Sequence, residues 1–384
     1  MNRDLLLITL SLLTWGVGEG LFAHFQSLYL EQLGAAPERI GQVLAVAGLL
    51  MTVGHLPTGR LVDRWGPRGL MWAGWGVGTA GAVCMAAARS LPVFTAGIWL
   101  YHLSIFVMVP LQAYLSLVRG TWSLGRVLTF TSGAFNLGTI LGPRVGGWVA
   151  QHWGMERVYA LAAALFVAST LLVLQVRPHP WQRPRGADDA DPTPGWRATW
   201  AAIPAAVRGY WLWLLVVFTL AMLPQPLIAN FLHEARGLVV AQIGDLGTLN
   251  ALGATLANFG LGLLTPGLGL GLTVVAQAAA AGMVWWGRGM GPYRGAYFLF
   301  GSLRAARPLA QAQVQARVPA ENRGLAMGVT ETVTGLSVTL AAALAGALYA
   351  REPALLFAGP VLAVALLPLG ALLRRAGATR PGSG

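Results

Sequence analysis

Gly59-Arg60-Leu61-Val62-Asp63-Arg64-Trp65-Gly66-Pro67-Arg68 gathers one acid and three arginines into ten residues. Apolar runs at about 38–60 and 69–89 flank it. Charge concentrated between two runs of membrane-crossing length predicts a short hairpin joining two membrane helices, with Gly66-Pro67 making the turn.

Composition widens that reading to the whole chain. Of 384 residues, 55% are hydrophobic and 10% charged, which excludes an ordinary soluble domain and fits a polytopic helical membrane protein. A spanning helix takes about 20 apolar residues, so the chain has room for about a dozen. All 26 basic residues are Arg, so no lysine is available as a Schiff base or coupling group. The net charge of +12 is spread between apolar runs rather than gathered on a water-facing patch, which argues against nucleic acid. The lone Cys84 excludes a disulfide framework. The first apolar run lacks a small-residue cleavage site and is expected to be a retained helix.

Apolar runs fall at about 5–30, 38–60, 69–89, 92–117, 126–151, 156–176, 209–232, 239–264, 268–287, 292–316, 324–349 and 353–373. Twelve spans put both termini on one side. The first connection (Glu31, Glu38, Arg39) is net negative, whereas the second (Arg60, Asp63, Arg64, Arg68) is net positive. Arg119, Arg126, five arginines of the central connection, and Arg374, Arg375 and Arg380 share the second connection's side, which is therefore expected to be cytoplasmic. Residues 177–208 are polar and Pro-rich and read as a cytoplasmic linker between two six-helix halves, 1–176 and 209–384. The halves repeat. Gly34, Ile40 and Gly41 match Gly237, Ile243 and Gly244 at an offset of 203. At an offset of 199, Gly125, Thr131, Leu137, Leu141 and Gly147 match Gly324, Thr330, Leu336, Leu340 and Gly346. Two parallel six-helix repeats place a substrate path between them.

The fifth run holds Gly138-Thr139-Ile140-Leu141-Gly142-Pro143-Arg144-Val145-Gly146-Gly147. Glycines four residues apart allow close helix approach, and Pro143 removes one helical hydrogen bond. This is either tight packing alone or part of a transport mechanism.

With these stretches in place, the chain resembles the major facilitator superfamily of secondary transporters. Gly59, Asp63, Arg64, Gly66 and Arg68 fall on that family's signature loop, with Pro67 where a basic residue is usual. Gly138, Gly142, Pro143, Gly146 and Gly147 look like its fifth-helix antiporter motif. The resemblance implies an all-α membrane protein of twelve helices in two pseudo-symmetric bundles, alternating access, and export rather than uptake. It also implies that Asp63 and its basic neighbours contact helix ends and gate the cytoplasmic side. Two departures stand out. The matching connection of the second half, Leu263 to Gly269, carries no charge, so gating by this loop is one-sided. The fourth helix lacks the mid-membrane Arg common in drug–proton antiporters, Arg119 being at its end, and Arg144 is a candidate substitute.

A charged side chain at mid-membrane costs at least ~2.5–3.5 kcal/mol on insertion scales, so each such group needs a partner or a role. Glu19 lies about 21 Å along the first helix, and Arg144 about 27 Å along the fifth, close enough for a long Arg side chain to bridge the levels. Apolar surroundings favour the neutral form of a carboxyl group and a nearby Arg the charged form, a competition suited to proton coupling. Glu19 is thus a candidate proton carrier, with a structural ion pair and direct substrate contact as alternatives. Arg304 and Arg307 share a helix face about 14–18 Å from the end of the tenth helix, and Glu331 lies about 11 Å into the eleventh. They could form an Arg-Glu-Arg cluster whose surplus positive charge receives an anionic substrate, pairs with Glu19, or simply locks the half. His24, one turn beyond Glu19, is the leading histidine for proton transfer; His55 and His102 follow, with packing as the alternative for each. Gln112 and Gln225 are candidate cavity residues, as are Gln26, Asn250, Asn258 and Gln277. The fifteen Trp either line a cavity or, more commonly, anchor at the interface.

No phosphate-binding Gly-Lys-Ser/Thr loop, metal-ligand spacing or nucleophilic triad is present, so no enzyme activity, ATP use, metal or cofactor is expected. The expected function is proton-coupled export of a small amphipathic organic molecule by a monomer in the lipid bilayer of a prokaryotic inner membrane. Uptake or facilitated diffusion of a polar metabolite or organic anion is the alternative. A non-transporting receptor or scaffold is the alternative from another class.

Overall fold

A computed structural model describes residues 2–54, 58–181, 205–318 and 322–376. His55, most of the central connection and Arg380 lie outside these residues, as do the side chains of Gly59, Arg60, Arg374 and Arg375. The first span, Arg3–Phe22, opens on Asn2, whose side chain accepts the backbone N–H of Asp4 at 3.0 Å. That satisfies one of the donors a helix start leaves open.

Among the described residues, seven helices are long and apolar enough to cross a membrane by length and composition. The other expected spans are met by Pro37–Gly54 with Thr58–Trp65, by Leu124–Trp153, Ala205–Met222 and Val240–Gly262, and by Met290–Gly301 with Leu303–Gln315. Several of these carry polar or charged residues: Arg144, Asp245, Asn250, Arg304 and Arg307. The whole is a twelve-helix, all-α membrane fold.

The hairpin expected over Gly59–Arg68 is mostly helical. Thr58–Trp65 is one helix and Pro67–Ala87 the next, so the turn is a single residue, Gly66, at φ 78°. A side chain there would be strained, and Pro67 is preset for the first turn of the new helix.

Both halves interrupt the same spans. The first is Arg3–Phe22 then Gln26–Gln32, and the seventh Ala205–Met222 then Ile228–Glu234. The fourth runs Leu91–Leu103, a 3-10 turn Ser104–Val107 and Met108–Val118, while the tenth is Met290–Gly301 and Leu303–Gln315, parted at Ser302. Gly34 and Gly237, paired by the repeat, both have positive φ, 89° and 69°. That shared backbone requirement explains why glycine occupies both places.

The chain packs as two compact units, Met1–Asp188 with Ile228–Ala251, and Asp189–Leu227 with Leu252–Gly384. They are not coextensive with the sequence halves, because residues 228–251 pack with the first six spans. The first core gathers Leu5, Ile8, Met71, Trp75, Tyr114 and Val173. Trp75 donates its indole N–H to Ser11 and Ser169, each at 3.0 Å. In the second core Trp211 donates to Thr330 at 3.0 Å. These tryptophans are buried core residues with satisfied N–H groups, not interfacial anchors.

Candidate functional site

Glu19 sits half-buried near the end of Arg3–Phe22 and accepts a hydrogen bond from the Tyr101 hydroxyl at 2.8 Å. Tyr101 is fixed from several sides. Trp15 stacks on it at 6.2 Å between centroids, Phe22 meets it edge-on at 5.3 Å, and Phe166 lies at 5.5 Å. A carboxyl group that accepts a hydroxyl beside aromatic rings can exchange that partner when water gains access. His102 packs edge-on against Tyr101 at 5.6 Å, with Nδ1 2.9 Å from the Ile98 carbonyl. A carbonyl only accepts, so Nδ1 carries a proton and is spent on the backbone.

Glycines join the first span to the fifth, Leu124–Trp153. A Cβ on Gly138 would lie 2.5 Å from the Leu13 carbonyl oxygen, and one on Gly142 would lie 2.6 Å from the Gly20 Cα. Gly146 faces Leu21 in the same way, and Gly16 and Gly20 answer from the first span. This is small-residue packing on a four-residue period. Gly147 faces elsewhere, 3.0 Å by a virtual Cβ from the Gly244 Cα on Val240–Gly262. The fifth-helix motif thus seats two helices at once, and the helix continues unbroken through Pro143.

Arg144 points along this second contact. Its Nε is 3.5 Å from Asp245 Oδ1, so its carboxylate partner is Asp245 rather than Glu19. The side chains are 78% and 43% exposed, which places the pair in the weak class of about 0–1 kcal/mol, suited to repeated breaking. Thr248 donates to the Ile140 carbonyl at 3.1 Å, and the His24 ring lies against Gly247. His24 therefore packs at the interruption of the first span, against the helix that carries Asp245. Further along, Asn230 donates to Glu31.

In the second unit Arg307 pairs with Glu331, and Gln311 donates to the same carboxylate. The expected cluster forms with one arginine only. Arg304 shares the exposed face but makes no ion pair, hydrogen bond or ring contact among the described residues. Buried Gln277 donates to the Leu299 carbonyl at 3.2 Å and to Ser302 Oγ at 3.1 Å, satisfying backbone and side-chain groups at the break just before Arg304.

The signature residues lie at the expected cytoplasmic end of the first unit. Arg68 donates to the Val176 carbonyl at 3.1 Å and stacks over Trp72 at 3.9 Å; Trp72 donates to Val173 at 3.0 Å. Both side chains therefore bind carbonyls at the close of the sixth span, Met155–Leu174, and just beyond it. The chain beyond folds back over the same end. His179 meets Asp4 at 2.9 Å, Tyr114 donates to the Arg177 carbonyl at 2.7 Å, and Trp181 covers Gly66. Arg64 is exposed, and the Asp63 carboxylate has no ion-pair partner among the described residues. Gln112 is exposed on Met108–Val118, and Gln225 is half-buried in the interruption of the seventh span. Among the described residues neither side chain bonds to the groups above. A separate groove of about 350 Å³, lined by Trp285, Trp286 and Phe357, holds no ionisable residue.

Sequence reasoning missed Tyr101, Gln311 and Asp245. Asp245 carries the signal that singled out Glu19, an acid inside an apolar run. Tyr101 and Gln311 become visible only through packing.

Interrupted helices repeated in two halves, with ionisable groups at and beside the interruptions, are an arrangement typical of secondary transporters. The family model for the Major Facilitator Superfamily matches residues 5–265, and the chain belongs to that family. It is 28% identical over 255 residues to a putative sugar efflux transporter of Deinococcus radiodurans, covering 64% of each chain. It is 27% identical over 182 residues to the multidrug resistance protein MdtG of Klebsiella pneumoniae, covering 41% of this chain and 40% of that one. The aligned regions thus span less than two thirds of these relatives. Among solved structures the fold matches the nucleoside transporter NupG with a TM-score of 0.76 at 14% identity, over 99% of this chain and 100% of that one.

Proposed function

We propose that this transporter exports a small amphipathic organic molecule against proton entry, with Glu19 as the proton carrier. The observation that carries this reading is the Glu19 carboxylate, which accepts the Tyr101 hydroxyl at 2.8 Å where Trp15 and Phe22 pack around that tyrosine. Protonation removes a charge from an apolar site, and deprotonation is supported by the Tyr101 donor, so the group can load and unload as solvent access alternates. The fifth-helix glycines and the names of two relatives, a putative sugar efflux transporter and a multidrug resistance protein, support outward transport. Arg144–Asp245 serves as the weak latch on the expected outer side, and Arg68 with Asp63 works at the cytoplasmic end. Both termini are cytoplasmic in the inner membrane on this reading, and one chain holds the whole path.

The test is proton flux in liposomes carrying the purified protein, with lipophilic cations, organic anions and sugars presented under an imposed pH gradient. Glu19→Gln is expected to abolish proton-driven net transport and to keep substrate exchange. Unchanged coupling removes Glu19 from the mechanism. Absence of flux with tolerance of Glu19→Gln points to a receptor or scaffold instead.

A further inference from the structure

Glu19, Arg144, Asp245, Arg307 and Glu331 each have a polar partner. Arg304 is the exception among the described residues, and it lies deep. It stands eleven residues before the end of Leu303–Gln315, about 17 Å along the helix, beyond what snorkelling to the interface covers. Its surroundings explain how the charge is tolerated. Arg304, Arg307 and Gln315 are exposed and Gln311 is half-buried on one face, while Ala305, Ala306, Leu309, Ala310 and Val314 are buried on the other. A membrane helix with a polar exposed face borders water, because lipid would leave each of those groups unsatisfied. Arg307 is committed to Glu331, which Gln311 also holds. One positive charge is therefore left over, on the guanidinium that no other group among the described residues engages. Its backbone is fixed in advance, since Gln277 and Ser302 hold the break two residues earlier.

We infer that Arg304 is the receiving group for an oxyanion, a carboxylate or a phosphate monoester, carried by the transported molecule. A guanidinium presents paired N–H donors that match either group and stays charged throughout a proton-coupled cycle. The inference rests on the transport reading and narrows its substrate to an amphipathic organic anion. Arg307 is a positioning residue: tied to Glu331, it keeps that carboxylate from neutralising Arg304.

The experiment uses the purified full-length protein and matched probes: 4-butylbenzoate against 4-butylbenzamide, and phenyl phosphate against phenol. Thermal unfolding is followed while each is titrated, since a ligand that binds the native state raises the midpoint. One or both acids are expected to stabilise the protein and their neutral partners not, and the two pairs tell carboxylate from phosphate. Arg304→Gln is expected to weaken acid binding about 10- to 100-fold, the range for a charge-assisted contact, and Arg304→Lys to retain part of it. Stabilisation by neither acid, equal stabilisation by acid and neutral partner, or acid binding unchanged in Arg304→Gln overturns the assignment. Proton flux keeps the two readings apart. Flux with ethidium that survives Arg304→Gln upholds proton-coupled export and removes the anion subsite. Acid stabilisation without flux of any probe keeps the subsite and removes proton coupling.

Discussion

Ser104-Ile105-Phe106-Val107-Met108-Val109-Pro110 in the fourth span and Ser302-Leu303-Arg304-Ala305-Ala306-Arg307-Pro308 in the tenth share serine and proline at an offset of 198. Both helices are interrupted at that serine. Ser104 donates back to the Tyr101 carbonyl at 2.6 Å, whereas Ser302 receives Gln277 at 3.1 Å. Where the fourth span has Phe106 and Val109, both half-buried, the tenth has Arg304 and Arg307, both exposed. One backbone device is thus used twice and filled with opposite chemistry. In the first half the interruption lies just past Tyr101, which supports a carboxylate; in the second it sets out positive charge. On the proposed reading, the difference at these two positions per helix sets proton handling in one half apart from anion handling in the other.

Three experiments break or sharpen that comparison. Phe106→Arg makes the fourth span imitate the tenth without a counter-charge. It is expected to cost at least ~2.5–3.5 kcal/mol on insertion scales, read as lost yield of folded protein in the membrane. Wild-type yield would show that the fourth span borders water as the tenth does. Gly142→Ala asks how far the first half depends on backbone contact between its first and fifth spans. With a Cβ only 2.6 Å from Gly20, overpacking is expected to cost about 1–3 kcal/mol, measured as a lower thermal midpoint. An unchanged midpoint would mean the two helices separate freely. The smallest effect is expected at Arg144 and Asp245, where a double-mutant cycle to alanine should give a coupling of about 0–1 kcal/mol. A coupling well above that range would make the pair a lock and leave Arg307–Glu331 without contrast.

Much of the fold was legible because membrane spanning is a strict constraint: apolar runs, the arginine asymmetry and Gly59–Arg68 together leave few architectures. Boundaries were less so. The polar residues Arg60, Asp63 and Arg64 look like a loop, yet they ride on a helix that ends only at Gly66. The interruptions at Ser104 and Ser302 were hidden because apolarity continues across Ser104 and does not depend on helical hydrogen bonding; only the aligned Ser and Pro mark them. Within the site, pairing was harder than membership. Glu19, Arg144, Arg307 and Glu331 stood out as charges in apolar runs, and Arg307–Glu331 could be read from depth. Depth alone also matched Arg144 with Glu19, because it carries no information about which way a helix face is turned.

The glycine contact between the first and fifth spans has a mechanical consequence. Backbones that touch at Gly16, Gly20, Gly138, Gly142 and Gly146 leave no side-chain layer to slide or shear. The two helices are therefore expected to move as one rod, with Glu19 and Arg144 at a fixed separation. A pair of spectroscopic labels on these two spans would serve as a built-in ruler, constant through the cycle, against which movement of every other helix can be measured.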